Sequence, residues 1–323
     1  MVGSQGESTV AIARCPSYEP EAVSAALEEA VGHLGGWEAF GRPGDRLLLK
    51  PNLLKGAPPE RAVTTHPEVL RALARRLKAL GAKPFIGDSP AWGSFARAVE
   101  KAGIAAMARE EDLPLVAFTQ GVRIVNEDGH VYRHLTVDRA ALEASGIINC
   151  PKLKTHQQLY LSGAVKNVFG CVSGKRKAWW HFKAGAYDNY FARMLVEVCQ
   201  LLRPRLHVMD AVLAMDGRGP SGGRPRPLGF LAASTDPVAL DRVCLHIVGG
   251  EASRLKTLEA AAELGVGAPQ LERIRIVGAR PEAVHVSDFL FPTLIPIGFS
   301  LPRVVRSTLK HQWTVHVSER HPS

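Results

Sequence analysis

The chain has 323 residues, of which 46% are hydrophobic and 22% charged, and its formal net charge is +9. That is enough chain for one large α/β domain or two domains, and it excludes an intrinsically disordered polymer. The basic balance favours acidic partners, but no ribonucleoprotein-type aromatic motif, zinc-finger spacing or basic-region heptad is present, which argues against nucleic acid.

In chain order, residues 1–8 read as a disordered tail and 9–14 alternate as a short strand. Residues 19–34 read as an amphipathic helix with apolar positions at Val23, Ala26, Leu27, Ala30 and Val31, closed by Gly35 and Gly36. A buried strand at 46–49 ends in Lys50, Pro51 and Asn52. Residues 65–80 form the best helical pattern, with Thr65 and Glu68 as a capping box and Gly81 as the stop. His66 falls in its first turn, where it could cap the helix or help bind an anion. A strand at 83–86 runs into Gly87, Asp88, Ser89 and Pro90, followed by a helix at 95–102 and a strand at 113–118. Residues 121–138 read as a hairpin turning at Asp128 and Gly129, and 139–145 as a short helix.

The stretch around which the chain is organised follows. Ile147 and Ile148 read as a buried strand that Pro151 stops. Beyond it stand Lys152, Lys154, Thr155, His156, Ser162, Gly163, Lys166, Asn167, Gly170, Ser173, Gly174, Lys175, Arg176 and Lys177, set around Val165, Val168 and Phe169. Cations interleaved with hydroxyls and glycines suit anion binding, because glycines let backbone N–H groups approach and the ammonium groups supply charge.

After it come a helix at 187–202, a strand at 206–209 ending at Asp210, and a mobile loop at 215–223 carrying Asp216 and Arg218. That loop would suit a lid over a substrate. A strand at 230–233 leads to Asp236, which caps a helix at 238–248. Asp241, one turn in, either points back to the site or favours the helix dipole. A helix at 253–264 and a strand at 274–277 follow. The apolar run 289–302 is too short to span a bilayer and carries three prolines, at 292, 296 and 302.

This alternation predicts an α/β fold: a mostly parallel sheet with helices on both faces. The folded body spans 9–288, divisible into lobes at 9–150 and 151–288 with a cleft between them. Residues 289–323 form an irregular segment that would serve as a docking surface or linker. Polar residues recur just after strands, and right-handed crossovers bring such loops to one edge. The candidate site therefore gathers Lys50, Asn52, His66, Asp88, Ser89, Lys152, Asn167, Asp210, Asp216 and Arg218 for binding, with His156, Lys154 and Lys166 for catalysis. Its simplest ligand is a small carboxylate- or phosphate-bearing anion, with His156 as the acid/base group. No dinucleotide or P-loop glycine fingerprint follows any strand. Five widely spaced cysteines (15, 150, 171, 199 and 244) form no C-x-x-C pair. They point to reduced thiols, a cytoplasmic setting and no zinc or iron–sulfur motif in this chain, while Asp210 and Asp216 could orient a histidine, balance the cations or bind a divalent metal. No signal peptide or transmembrane segment is expected.

CPKLKTH at 150–156 followed by SGAVKNVFG at 162–170 resembles the signature of the domain-of-unknown-function 362 family. LLLKPNLL at 47–54, TTHPEVL at 64–70, GDSP at 87–90, MDAVLAMDGRGP at 209–220 and STDPVALD at 234–241 extend the resemblance. Many members look like this domain joined to a ferredoxin-like module with two iron–sulfur clusters. The resemblance thus implies an iron–sulfur-linked reductase of a small anion, with 4Fe-4S clusters on a C-terminal or partner module and not ligated by this chain. A fainter resemblance to nickel-dependent lactate racemases implies a redox-neutral enzyme whose cofactor is held by a lysine, and Lys154 or Lys166 are the residues to consider. A non-catalytic anion-binding protein is the third reading.

Overall fold

The computed structural model describes residues 7–172 and 189–295. Strands β1 (Ser8–Arg14), β2 (Arg46–Pro51), β3 (Lys83–Asp88) and β4 (Leu115–Ala117) alternate with helices α1 (Pro20–Gly32), α2 (Pro67–Ala79), α3 (Phe95–Lys101) and α4 (Ile104–Glu110). A separate antiparallel hairpin, β5 (Gly121–Val125) with β6 (His134–Asp138), precedes the short α5 (Arg139–Leu142). Then come β7 (Gly146–Cys150), β8 (Lys152–His156), β9 (Tyr160–Leu161), α6 (Ala164–Asn167) and α7 (Tyr190–Leu202). The rest is β10 (Leu206–Asp216), β11 (Arg224–Ser234), α8 (Pro237–Ile247), α9 (Lys256–Glu263) and β12 (Ile274–Gly278).

Ten strands form one sheet in the order β12-β1-β11-β10-β7-β2-β3-β4, with β8 paired to β10 and β9 to β8. It draws strands from both halves of the chain. The pairs β4–β3, β3–β2, β2–β7 and β7–β10 are parallel, and β11 is antiparallel to both its neighbours. The fold is α/β, with a mixed, largely parallel sheet and helices on both faces.

The two faces follow from the strand alternation. Leu47 and Leu49 of β2 point to the layer built by α1 to α4, where Leu27, Leu70, Leu73 and Ile104 lie. Leu48 points to the opposite layer with Phe191, Leu195 and Leu240 from α7 and α8. Strands buried on both faces read as continuous apolar runs, which is what 47–49 and 147–148 show. The chain lays β2, β3 and β4 outward in one direction, then returns to place β7 and β10 on the other side of β2. The order reverses between β2 and β7, and in open parallel sheets the carboxyl ends at such a reversal border the ligand crevice.

Several expectations change. Helix α2 starts at Pro67, and its cap is His66, whose Nδ1 accepts from the Glu68 N–H at 3.2 Å. Thr65 is used elsewhere: its hydroxyl accepts from Asn52 N at 2.8 Å and donates to Cys150 O at 2.6 Å. Proline at the first helical position fixes the start one residue later than the capping-box pattern suggests. Pro151 does not open a loop. The chain resumes as β8, since the long β10 offers a second stretch of edge to pair with. Helix α4, which no cap signalled, follows α3 after Gly103 at φ +69°. The loop expected at 215–223 is confined to bends and turns over 217–223, since β10 runs on to Asp216 and β11 starts at Arg224. The β10–β11 pair is a long hairpin, and its connection is tied down: Thr155 Oγ1 donates to Gly217 O at 3.0 Å, Gly219 N donates back to Thr155 Oγ1 at 3.1 Å, and Gln157 N donates to Gly219 O at 3.2 Å. Residues 289–295 pack beside it, with Gly217 N donating to Leu290 O at 2.6 Å and Phe291 stacked on Tyr160. Ser173 to Lys177, the rest of the basic stretch, lie outside the described residues, as do 296–323.

Candidate functional site

At the reversal point, three asparagines knit four elements. Asn52, just past β2, donates to Asn167 Oδ1 of α6 at 2.9 Å. Asn167 donates to Asn149 Oδ1 of β7 at 2.8 Å and to Lys50 O at 3.1 Å. Asn149 donates to Ala164 O and to His207 Nδ1, both at 2.9 Å. Burial pushes the His207 imidazole down to about 3, so the ring is neutral and can accept.

Helix α6 is only four residues long and is held from outside. Asp241 of α8 accepts from the N–H groups of Ala164 and Val165. Gly163 is required there, because a Cβ at that position would lie 2.1 Å from an Asp241 oxygen. Burial drives the Asp241 carboxyl up to about 7, against the two N–H donors that favour its anion.

Onto this frame the lysines converge. Lys50 and Asp88 form a buried pair at 3.2 Å, and Lys50 also donates to Pro51 O at 2.6 Å. Ser89 N donates to Asp88 Oδ1 at 2.7 Å. Gly170 lies against the pair so closely that a Cβ would stand 2.3 Å from Asp88 Oδ1 and 2.4 Å from Lys50 Nζ. Lys154 is 1% exposed and has no carboxylate partner among the described residues. Its ammonium donates to Asn52 Oδ1 at 2.7 Å and Val63 O at 2.5 Å. Burial first, then the charges of Lys166 and Lys152, hold its pKa well below that of an ordinary lysine.

Lys166, on α6, differs from all of these. It is half-buried, and among the described residues its ammonium has no hydrogen bond and no ion pair. Burial, then repulsion by Lys50, lower its pKa to about 8, and Asp88 opposes them. Two hydroxyls near Lys154 also lack partners among the described residues although they are buried. Thr64 Oγ1 follows the carbonyl that Lys154 binds, and Ser162 Oγ belongs to the residue whose N–H bonds Lys154 O at 2.8 Å.

A second centre lies two residues back on β8. Lys152 and Asp210, both 0% exposed, pair at 2.8 Å. The Tyr18 hydroxyl accepts from Lys152 at 2.7 Å and donates to Asp210 Oδ1 at 2.8 Å. His66 N donates to Asp210 Oδ2 at 2.9 Å, and the His66 ring stacks on Tyr18 at 3.5 Å between centroids. Burial leads in lowering the His66 imidazole to about 4, with Asp210 opposing and Lys152 assisting. Tyr18 was not among the sequence candidates. It stands just after β1, and the rule that selected residues after β2 and β3 would have selected it too.

Three candidates remain. His156 ends β8, with its buried ring accepting from Gln158 N at 3.2 Å through Nδ1. Asp216, at the far end of β10, holds Arg224 by two contacts of 3.0 Å and accepts from Leu290 N at 3.3 Å. Arg218 is exposed in the hairpin connection. The structure thus brings together Lys50, Asn52, Asp88, Ser89, Lys154, Lys166 and Asn167, and separately Lys152, Asp210 and His66. Among the described residues no group of three or more His, Cys, Asp or Glu is placed to hold a metal ion.

Comparison with known proteins gives three findings. The family model "Domain of unknown function (DUF362)" matches residues 47–246, which include the lysines of both centres. The thylakoid-associated protein sll1697 of Synechocystis sp. is 41% identical over 312 residues, covering 96% of either chain. Among solved structures, the lactate racemase apoprotein from Thermoanaerobacterium thermosaccharolyticum aligns with a TM-score of 0.48 and 14% identity, over 75% of this chain and 57% of that one.

Proposed function

This chain belongs to the DUF362 family, and we propose that it is an enzyme that binds a small carboxylate- or phosphate-bearing anion at the β2–β7 reversal, with Lys166 as the proton-transferring group. The observation that carries the reading is Lys166 itself: a half-buried amine, unpartnered among the described residues, beside two other buried lysines. A lysine brought near neutral pH can both give and take a proton, which an ordinary lysine cannot do. His156 is less suited, since its Nδ1 is already accepting from a backbone N–H.

The finer reading is reduction of that anion with electrons from a ferredoxin-like iron–sulfur partner, which rests on the family resemblance. In it Lys166 supplies the accompanying proton. For location, no helix among the described residues is long and apolar enough to cross a membrane. With a relative named as thylakoid-associated, we place the protein peripherally at a membrane. The test of the site is calorimetric titration with citrate and with inorganic phosphate. The wild type should bind one of them, and Lys166→Met should weaken that binding at least about tenfold, the loss of one charge-assisted contact. Equal affinity in both proteins would remove Lys166 from the site.

A further inference from the structure

Most buried amines in this protein are committed. Lys50 has Asp88 and Pro51 O, Lys152 has Asp210 and Tyr18, and Lys154 has Asn52 and Val63 O. Lys166 has none of these, and its helix is locked in place by Asp241 and by the Asn167 bonds. A fixed amine with its lone pair available is a nucleophile toward a carbonyl carbon. Buried next to it are a carboxylate, Asp88, and the second amine, Lys154, which has used two of its three N–H bonds.

We infer that Lys166 forms an imine with a small 2-oxo acid, whose carboxylate is held beside Lys154 and Lys50. This rests on the anion-site reading and names its substrate class as a carbonyl-bearing carboxylate. The step balances without a redox partner. The Nζ lone pair forms a C–N bond to the carbonyl carbon, and the C=O π pair moves to oxygen. That oxygen takes up one proton from Nζ and one from solvent and leaves as water, while the nitrogen lone pair closes the C=N bond. Asp88, the carboxylate whose charge acts on Lys166, would pass the proton.

The test uses the full chain, with pyruvate as probe and sodium cyanoborohydride to reduce any imine, followed by peptide mass mapping. The expected result is one stable adduct on Lys166, forming roughly tenfold or more faster than on the exposed Lys101, because burial and the Lys50 charge lower the Lys166 pKa to about 8. Lys166→Arg keeps the cation and should lose the adduct while the protein stays folded by circular dichroism. Labelling of Lys166 no faster than of Lys101 overturns the inference. If citrate or phosphate still binds in that case, the imine falls and the anion site stands. If neither binds, both fall.

Discussion

Lys152 and Lys154 stand two residues apart on β8, with side chains on the same side and almost wholly buried, yet their surroundings diverge. Lys152 meets a carboxylate, and each polar atom around it finds a partner: Tyr18, Asp210, the His66 N–H and the Leu213 N–H form a closed set. Among the described residues Lys154 meets only an amide oxygen and a carbonyl, near other lysines, and the hydroxyls of Thr64 and Ser162, whose backbone adjoins its partners, are unpartnered. A closed set of this kind fixes structure, because a buried ion pair with its remaining bonds satisfied gains nothing from a ligand. The other set keeps unmet hydrogen-bonding capacity and an excess of cations, which an anion would relieve. Burial of a lysine therefore says little about its role until its partners are counted.

The largest expected effect breaks the closed set. Asp210→Ala leaves the Lys152 ammonium buried without its counter-charge, which costs about 3–5 kcal/mol. Lys166→Met removes a desolvated, unpaired charge and should leave stability unchanged or raised. Urea unfolding of the two variants against wild type checks this. Similar losses in both would mean that the two centres are not different in kind.

The strands and helices that carry this difference were largely legible. The apolar runs at 47–49 and 147–148, the helix at 65–80 and the Asp236 cap all correspond to observed elements, because each rests on a local signal. The full length of the β10–β11 hairpin was not legible, since the arginines, prolines and glycine of 224–229 give no strand signal and only pairing with β10 makes them strand. At the site, the residue types and the edge were readable from polar residues after strands. The partnering was not. That Lys50 pairs with Asp88, Lys152 pairs with Asp210 and Lys166 forms an ion pair with neither depends on strand order across the reversal, and no spacing in the sequence encodes it.

A smaller effect sharpens the comparison through the helix that presents Lys166. The Asp241 carboxyl is raised from about 4 when unfolded to about 7 when folded, chiefly by burial. Between those values the folded protein holds a proton that the unfolded chain has released, so this group's contribution to stability falls as pH rises from about 4 to 7 and is flat above. Asp241→Asn removes the titration. The stability of wild type minus that of the variant should therefore decrease across this window and level off beyond it. A difference that is constant with pH would show that the carboxyl is already ionised at pH 4 and holds α6 as an anion.

The smallest effect concerns the charge balance around Lys166. Its pKa stands at about 8 because burial and the Lys50 ammonium outweigh the attraction of Asp88. Lys50→Met removes the repulsion and leaves Asp88 without its ion-pair partner, so both changes act in one direction and raise the Lys166 pKa. The acetylation rate of Lys166, followed by peptide mass mapping against pH, should show a midpoint near 8 in wild type and a higher one in Lys50→Met. The same substitution should leave Lys152 unreactive in both proteins, because its ammonium stays enclosed by Asp210 and Tyr18. A Lys166 midpoint that does not move would mean that burial alone sets it, and that Lys50 and Asp88 act on the ligand without acting on the amine.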